Sequence, residues 1–319
     1  MAVLIGIDEA GYGPVLGPLT VSSTAFMVPE DKLRSDMWKV LSSSVSKQKR
    51  SLKGKILITD SKKAYNRKSG LGHLERTTLA TLKSMGISAK NFKELVNVLA
   101  PEALARLNHY PWYQKLEDVE IDFENAEYSI AAGAFKTDRE KNGISIVALR
   151  SEVLDVGYYN EMVDKVQNKA SVLFTAVCRH IDWAFKHFGN DNLQIVVDRQ
   201  GGRSHYLPVL AKMFPQSQGR IIREDETDCS YELIDGDRKM RIHFVVKADD
   251  KSLPVSLASI ISKYIREMMM ERLNSYFAGF DATIAPTAGY WTDGNRFIKD
   301  TDKIIECQKI NKKMLVRLR

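Results

Sequence analysis

The stretch Ala2-Val-Leu-Ile-Gly-Ile-Asp-Glu-Ala-Gly-Tyr-Gly-Pro14 decides the fold. Its apolar run from Val3 to Ile7 reads as a buried strand, bounded by a glycine-rich turn from Gly11 to Gly17. The strand closes on two adjacent carboxylates, Asp8 and Glu9. Acids at the mouth of a core are unfavourable unless a cation neutralises them. A metal-dependent phosphotransfer or hydrolysis site requires that arrangement.

Two more apolar runs end in the same way. Leu193-Gln-Ile-Val-Val197 stops at Asp198, and Asp249 follows Phe244-Val-Val-Lys-Ala248. Neighbouring strands of one sheet can bring such ends within a few ångströms of each other. Three or four carboxylates converging there would bind two divalent ions, Mg2+ or Mn2+, through oxygen. The six histidines show no ligand spacing, which argues against zinc. A single strand-end Asp is more often a helix cap or turn former, but that reading weakens when three strands repeat it.

The rest of the chain alternates strands and helices. Thr20 to Val28 and Ile144 to Leu149 read as strands, as does the short Ile56-Leu-Ile58, which runs into Thr59-Asp-Ser-Lys-Lys63. Helical spacing covers His73 to Met85, a long stretch from about Tyr159 to Phe188, about Tyr206 to Met213, Pro254 to about Phe277, and Asn295 to Gln308. A hairpin is expected with arms Ser230 to Ile234 and Met240 to Val246, turning at Asp235-Gly236. No repeat, low-complexity tract or clean linker interrupts the order, so one mixed α/β domain with insertions is expected.

With 319 residues, 44% hydrophobic and 27% charged, the chain has the composition of a soluble globular protein. No apolar run approaches the ~20 residues needed to span a bilayer, and no secretory leader is apparent, so a cytoplasmic location and no membrane partner are expected. Cys178, Cys229 and Cys307 fit neither a disulfide framework nor a zinc site, and ordinary packing is expected of them. The formal charge of +7 is clustered at Lys47 to Lys55, at Lys62-Lys63 with Arg67-Lys68, and from Lys309 to Arg319. A basic surface around an acidic centre suits a polyanion whose phosphate meets bound cations; solvated surface lysine is the plainer reading of any one cluster.

These residues carry a family resemblance. Gly6-Ile-Asp-Glu-Ala-Gly-Tyr-Gly-Pro14, Thr59-Asp-Ser-Lys-Lys63, Val196-Val-Asp198, and Lys247-Ala-Asp249 with Ala258-Ser-Ile-Ile-Ser-Lys263 resemble ribonuclease HII, the type 2 ribonucleases H. Thr287-Ala-Gly-Tyr-Trp-Thr292 is similar to a later motif of that family. Each pattern is weak alone; five in family order are specific. The resemblance implies a ribonuclease H-like mixed sheet flanked by helices, a single domain over 1–319 with insertions at about 88–140 and 201–245, and a helical C-terminal part from about 254.

It also implies roles. Asp8, Glu9, Asp198 and Asp249 match the family's metal-binding acids, with Asp8 bridging two Mg2+ or Mn2+ ions. The implied reaction cuts RNA paired with DNA, or ribonucleotides within duplex DNA, leaving 5′-phosphate and 3′-hydroxyl ends. Gly11, Gly13 and Tyr290 match the elements that sense the 2′-hydroxyl, although a partly buried core tyrosine is an equal reading of Tyr290. Ser61, Lys62 and Lys63 match a phosphate-contacting segment; Lys263 is a candidate substrate contact and Ser259 a packing residue. A monomer is favoured.

The chain departs from the family at Tyr12, where Arg or Lys is usual; Tyr12 could stack on a sugar or base instead. Thr287 replaces a usual histidine and Trp291 a usual proline. No separate N-terminal substrate-binding domain precedes the first strand, which argues against the type 3 enzymes. Two alternatives compete: a sugar kinase or actin-like ATPase, with Val197-Asp-Arg-Gln-Gly-Gly202 as a phosphate loop, and a non-catalytic nucleic-acid-binding module. The kinase reading leaves Glu9 and Asp249 idle, and the binding module leaves four clustered acids unused.

Overall fold

The computed structural model describes residues 1–65, 70–201 and 203–318; Arg67, Lys68, Gly202 and Arg319 of the stretches named above lie outside these. Nine strands are present among the described residues: β1 (Ala2–Ala10), β2 (Leu19–Val28), β3 (Val45–Ser46), β4 (Ile56–Leu57), β5 (Ser145–Leu154), β6 (Asn192–Asp198), β7 (Gln218–Glu224), β8 (Asp228–Asp235) and β9 (Arg238–Val245). Seven form one mixed sheet in the order β5-β2-β1-β6-β9-β8-β7, and β3 and β4 form a small parallel pair. The expected mixed sheet flanked by helices is present, with a helical C-terminal region.

The continuous apolar reading of β1 follows from its place at the centre of this sheet. Val3, Ile5 and Ile7 are buried on one face; on the other, Gly6 lets a helix come against the backbone. β1 runs parallel to β6, and β6 parallel to β9, with Ile7 opposite Val197 and Val197 opposite Phe244. Parallel direction and matched register put the C-terminal ends of all three strands at one edge. That is the placement on which the acidic site depends.

Each face of the sheet has its own core. On one, the long helix Leu253–Ala278 lies across β1 and β2 with Leu257, Ile260, Ile261 and Ile265 buried. On the other, the helix Lys169–Phe188 buries Val172, Leu173, Val177, Ile181 and Phe185 against Val3, Ile5, Ile195 and Val197. Each such aliphatic side chain contributes roughly 1.5–3 kcal/mol through its removal from water. No helix among the described residues is long and apolar enough to cross a membrane.

Two expected helices are divided. The stretch expected to run from Tyr159 to Phe188 is two helices, Val156–Val166 and Lys169–Phe188. Gln167 breaks it with a left-handed φ of 51°, and the Asn168 side chain accepts from the amides of Ala170 and Ser171 to start the next helix. Apolar spacing continues across the break, so periodicity alone conceals it. The expected helix Asn295 to Gln308 is likewise Trp291–Asp300 followed by Asp302–Cys307, parted at Thr301, whose hydroxyl turns back to the Phe297 carbonyl at 2.7 Å. The expected hairpin forms from β8 and β9, turning at Gly236 with φ 59°. Cys178 and Cys229 are buried as expected of packing residues, whereas Cys307 is exposed.

The helix Lys169–Phe188 also buries a histidine. His180 Nε2 lies 3.2 Å from the Val21 carbonyl, which can only accept, so that nitrogen carries the proton. Nδ1 then accepts from the Ser23 hydroxyl at 2.8 Å. Burial, reinforced by Arg150 and Arg179, pushes the imidazole down to about 4 from an ordinary 6.5. A histidine depressed in this way takes up its proton in the unfolded chain first, so its contribution is complete above pH 6.5 and is lost as pH falls toward 4. The full loss is on the order of 3 kcal/mol. Urea unfolding of wild type and His180→Gln between those limits should therefore show a stability difference that changes with pH; a constant difference would refute the assignment.

Candidate active site

Asp8 sits at the end of β1 and is only 7% exposed. The Glu9 amide donates to its Oδ1 at 2.8 Å, the Ser259 hydroxyl hydrogen-bonds its carboxyl, and Ser262 Oγ donates to its carbonyl at 3.1 Å. Burial holds the Asp8 carboxyl well above the usual carboxylate range, and Glu9 and Asp198 push it further. Glu9 is raised to about 7, first by burial and then by Asp198, with Lys62 opposing. Asp198 closes β6, accepts from the Ala248 amide at 2.7 Å, and is raised to about 6 by burial, with Asp249 adding to the shift.

Asp249 begins the short helix Ala248–Lys251, entered through Lys247 at a left-handed φ of 53°. Burial raises its carboxyl, followed by the charges of Asp60 and Asp250. The four acids thus lie at the ends of adjacent strands and sense one another. Lys62 is the cation that offsets Glu9, Asp198 and Asp249 alike. Asp60 presents it: the Asp60 carboxylate caps the helix Ser61–Ala64 by accepting from the Lys62 amide at 2.8 Å.

Among the described residues, no three carboxylate, imidazole or thiol side chains stand close enough as placed to enclose an ion. The donor set nevertheless has the chemistry of a divalent oxygen site. It is made of carboxylates, Lys62 is a cation that offsets three of them, and their raised affinity for protons marks a place that favours positive charge.

The glycine turn is fixed by residues distant in sequence. Gly11 has φ 90°, and a Cβ there would lie 2.4 Å from Arg266 Nε, so only glycine fits. Arg266 is fully buried on the long helix; it donates to the Ala288 carbonyl at 2.9 Å and pairs with Glu267 at 3.0 Å. The segment carrying Tyr290 docks on the turn through the Gly289 carbonyl, which accepts from the Val15 amide at 2.7 Å. Tyr290 is 50% exposed, its ring beside Gly13 and 5.9 Å from the Arg266 guanidinium. It is therefore not a core tyrosine. Tyr12 is partly buried under the Lys169 ammonium, 5.3 Å from its ring centre.

The remaining candidates divide. Ser61 is buried and accepts from Ser259 Oγ at 3.0 Å, so Ser259, expected only to pack, links the Ser61 segment to Asp8. Lys63 points outward and pairs with Asp250 at 2.7 Å. Lys263 is not presented to a substrate: its ammonium pairs with Glu267 at 2.7 Å, largely buried, above the Tyr65 ring. Sequence reading missed Arg266 and Arg317. Arg266 is a charge inside a helix otherwise buried at Ile265, Met268, Met269 and Met270, and that mismatch was the available signal.

Comparison with known proteins supplies the context for this geometry. Residues 222–317 match the ribonuclease HII family model. The resemblance carried by the motifs therefore stands, as that of a divergent chain; the ribonuclease HII match holds Asp249, Tyr290 and Arg317, whereas Asp8, Glu9 and Asp198 precede it. In structure the chain is similar to the ribonuclease HII in the PCNA:RNase HII complex from Archaeoglobus fulgidus, with 17% identity over 99% of this chain and 94% of that one and a TM-score of 0.46. It is also similar to Bst-RNase HIII in complex with Mn2+, at 14% identity over 99% and 66% of the two chains and a TM-score of 0.48. Ribonuclease H2 from Pyrococcus horikoshii OT3 gives 14%, 98% and 92%, with a TM-score of 0.46. No curated protein matches the chain.

Proposed function

We propose that the chain is an endoribonuclease that hydrolyses the RNA strand of RNA–DNA hybrids, or ribonucleotides within duplex DNA, leaving 5′-phosphate and 3′-hydroxyl ends. The observation that carries this reading is the grouping of Asp8, Glu9, Asp198 and Asp249 at or just beyond the ends of three parallel strands, buried or half-buried and mutually repelling. Two Mg2+ or Mn2+ ions held by those four acids would supply activation of the attacking water and stabilisation of the leaving 3′-oxygen.

The protein's own groups orient the substrate. Asp8 is aimed by the Glu9 amide and the Ser259 hydroxyl, and Asp198 by the Ala248 amide, so the carboxylates meet a phosphate in a fixed arrangement. Lys62 adds positive charge at the same point. Gly11 and Gly13 expose backbone on the turn, and the half-exposed Tyr290 stands beside them, where a sugar hydroxyl can be read. With Tyr12 between the glycines, an aromatic face replaces a basic side chain, which suits stacking on sugar or base.

The test is cleavage of a labelled hybrid and of a DNA duplex bearing one ribonucleotide, with Mg2+ or Mn2+, by wild type and Asp198→Asn. Wild type should cut at least one substrate to products that a polymerase can extend, and the variant should be slower by more than about 100-fold, beyond the ~10–100-fold lost with an outer partner of a metal ligand. Equally poor cutting by both, with firm hybrid binding, would instead identify a binding module. Tight Mg-ATP binding without cleavage would favour the kinase reading.

A further inference from the structure

Beside the glycine turn lies a cavity of about 240 Å³, walled by Tyr12, Gly13, Tyr159, Lys169 and Arg317 among others. Arg317 is 4% exposed. Its Nε donates to the Gly17 carbonyl at 2.7 Å and its Nη1 to the Gly11 carbonyl at 2.5 Å, while Nη2 is buried without a partner. The charge acting on it most strongly is another cation, Arg266. Arg317 forms no ion pair among the described residues; a buried guanidinium so placed is unfavourable, and an anion in the cavity would offset its charge.

Lys169 provides a second cation in the cavity wall, exposed at the start of a 20-residue helix. The first amides of that helix are already taken by Asn168, so the attraction comes from the two side chains rather than from the helix end. Tyr12 lies between the cavity and Glu9, close enough for the Glu9 charge to act on its hydroxyl. The cavity is therefore a neighbour of the carboxylate cluster, separated from it by the glycine turn.

We infer that this cavity takes a backbone phosphate of the nucleic-acid strand that crosses the glycine turn, held by the Lys169 ammonium over the buried charge of Arg317. The strand's other phosphates run past the turn, so a charged pocket there sets its register over the carboxylates. This site rests on the proposed ribonuclease function and adds a contact point to it.

Lys169 is exposed, so its removal leaves the fold intact. Hybrid binding is measured in chelator, where no cutting occurs, by fluorescence anisotropy between about 50 and 200 mM salt. Lys169→Gln should raise Kd several-fold and reduce the salt slope by about 1, as expected when one phosphate contact is lost. Lys169→Arg should restore both, and Lys141→Gln, on an exposed helix end, should change neither. If Lys169→Gln binds hybrid as wild type does while wild type cuts normally, the site is overturned and the function stands. Wild type that neither binds nor cuts removes both. Inorganic phosphate, titrated at constant ionic strength, forms the second arm: phosphate binding lost in Lys169→Gln with hybrid affinity unchanged would make this a free-anion site and overturn the assignment.

Discussion

Asp8→Asn is expected to reduce hybrid cleavage by more than about 100-fold while leaving a chain that, without metal, is more stable than wild type. The two effects have one origin. Asp8 is buried beside Glu9 and Asp198, and the sum of burial and like charge drives all three carboxyls toward protonation. An acid raised in this way stabilises the fold below its unfolded pKa and ceases to do so as pH rises through its folded value. For Asp198 that window runs from 3.8 to about 6, and for Glu9 from 4.5 to about 7. Above those windows the chelated wild type carries the repulsion among ionised carboxylates, and an amide of the same shape at residue 8 removes the Asp8 share of it.

Divalent cations reverse the ranking. Mg2+ or Mn2+ should raise the melting temperature of wild type markedly and that of Asp8→Asn little, because stabilisation by a ligand scales with its affinity for the folded state. The measurement is a thermal melt of both proteins at pH 7.5, in chelator and in each cation. A variant destabilised in chelator, or stabilised by cations as much as wild type, would show that Asp8 is a structural acid.

Gly6→Ala should give the largest loss of stability of any single methyl added to this chain's glycine strand. A Cβ at residue 6 would lie 2.1 Å from the Val255 nitrogen and 2.2 Å from the Pro254 carbonyl carbon, both backbone atoms of the long helix. The helix is not free to withdraw, since Thr24, the β2 partner of Gly6, donates its hydroxyl to the Pro254 carbonyl at 2.8 Å. The loss should reach or exceed about 3 kcal/mol, the upper end of ordinary overpacking, and appear as a lower urea midpoint. Cleavage should fall with it, because the same helix carries Ser259 and Ser262 against Asp8. Gly133→Ala is the contrast: that glycine has open space around it within the helix Ala126–Lys141, so the change should stabilise by up to ~1 kcal/mol. Equal effects of the two substitutions would contradict the contact at Gly6.

What the sequence made legible follows the range of the interactions involved. β1 and β2 were readable because a strand inside a sheet writes its burial into consecutive residues, β6 because its apolar residues cluster although its burial alternates, and Asp8, Asp198 and Asp249 were conspicuous as charges at the ends of such runs. The break at Gln167 was not, because its cause is one left-handed residue and one asparagine cap within an unbroken apolar spacing. Ser259 and Lys263, four residues apart on one face of the long helix, looked equivalent; only packing against Glu267 separates the inward ion pair of the second from the Asp8 contact of the first. Arg317 gave no local sign, since its hydrogen bonds run to Gly11 and Gly17, 300 residues or more away in sequence.

That separation affects how the molecule is made. The hydrogen bond from Arg317 to Gly11 closes a span of 306 residues, and Val316 bridges Leu16 beside it. During synthesis the first strand and its carboxylates emerge well before the guanidinium that holds the turn in place, which follows Gly11 by 306 residues. A chain still on the ribosome can form much of the sheet yet has an untethered turn. The clasp therefore acts as a timer: the glycine turn becomes fixed only after Arg317 has been translated.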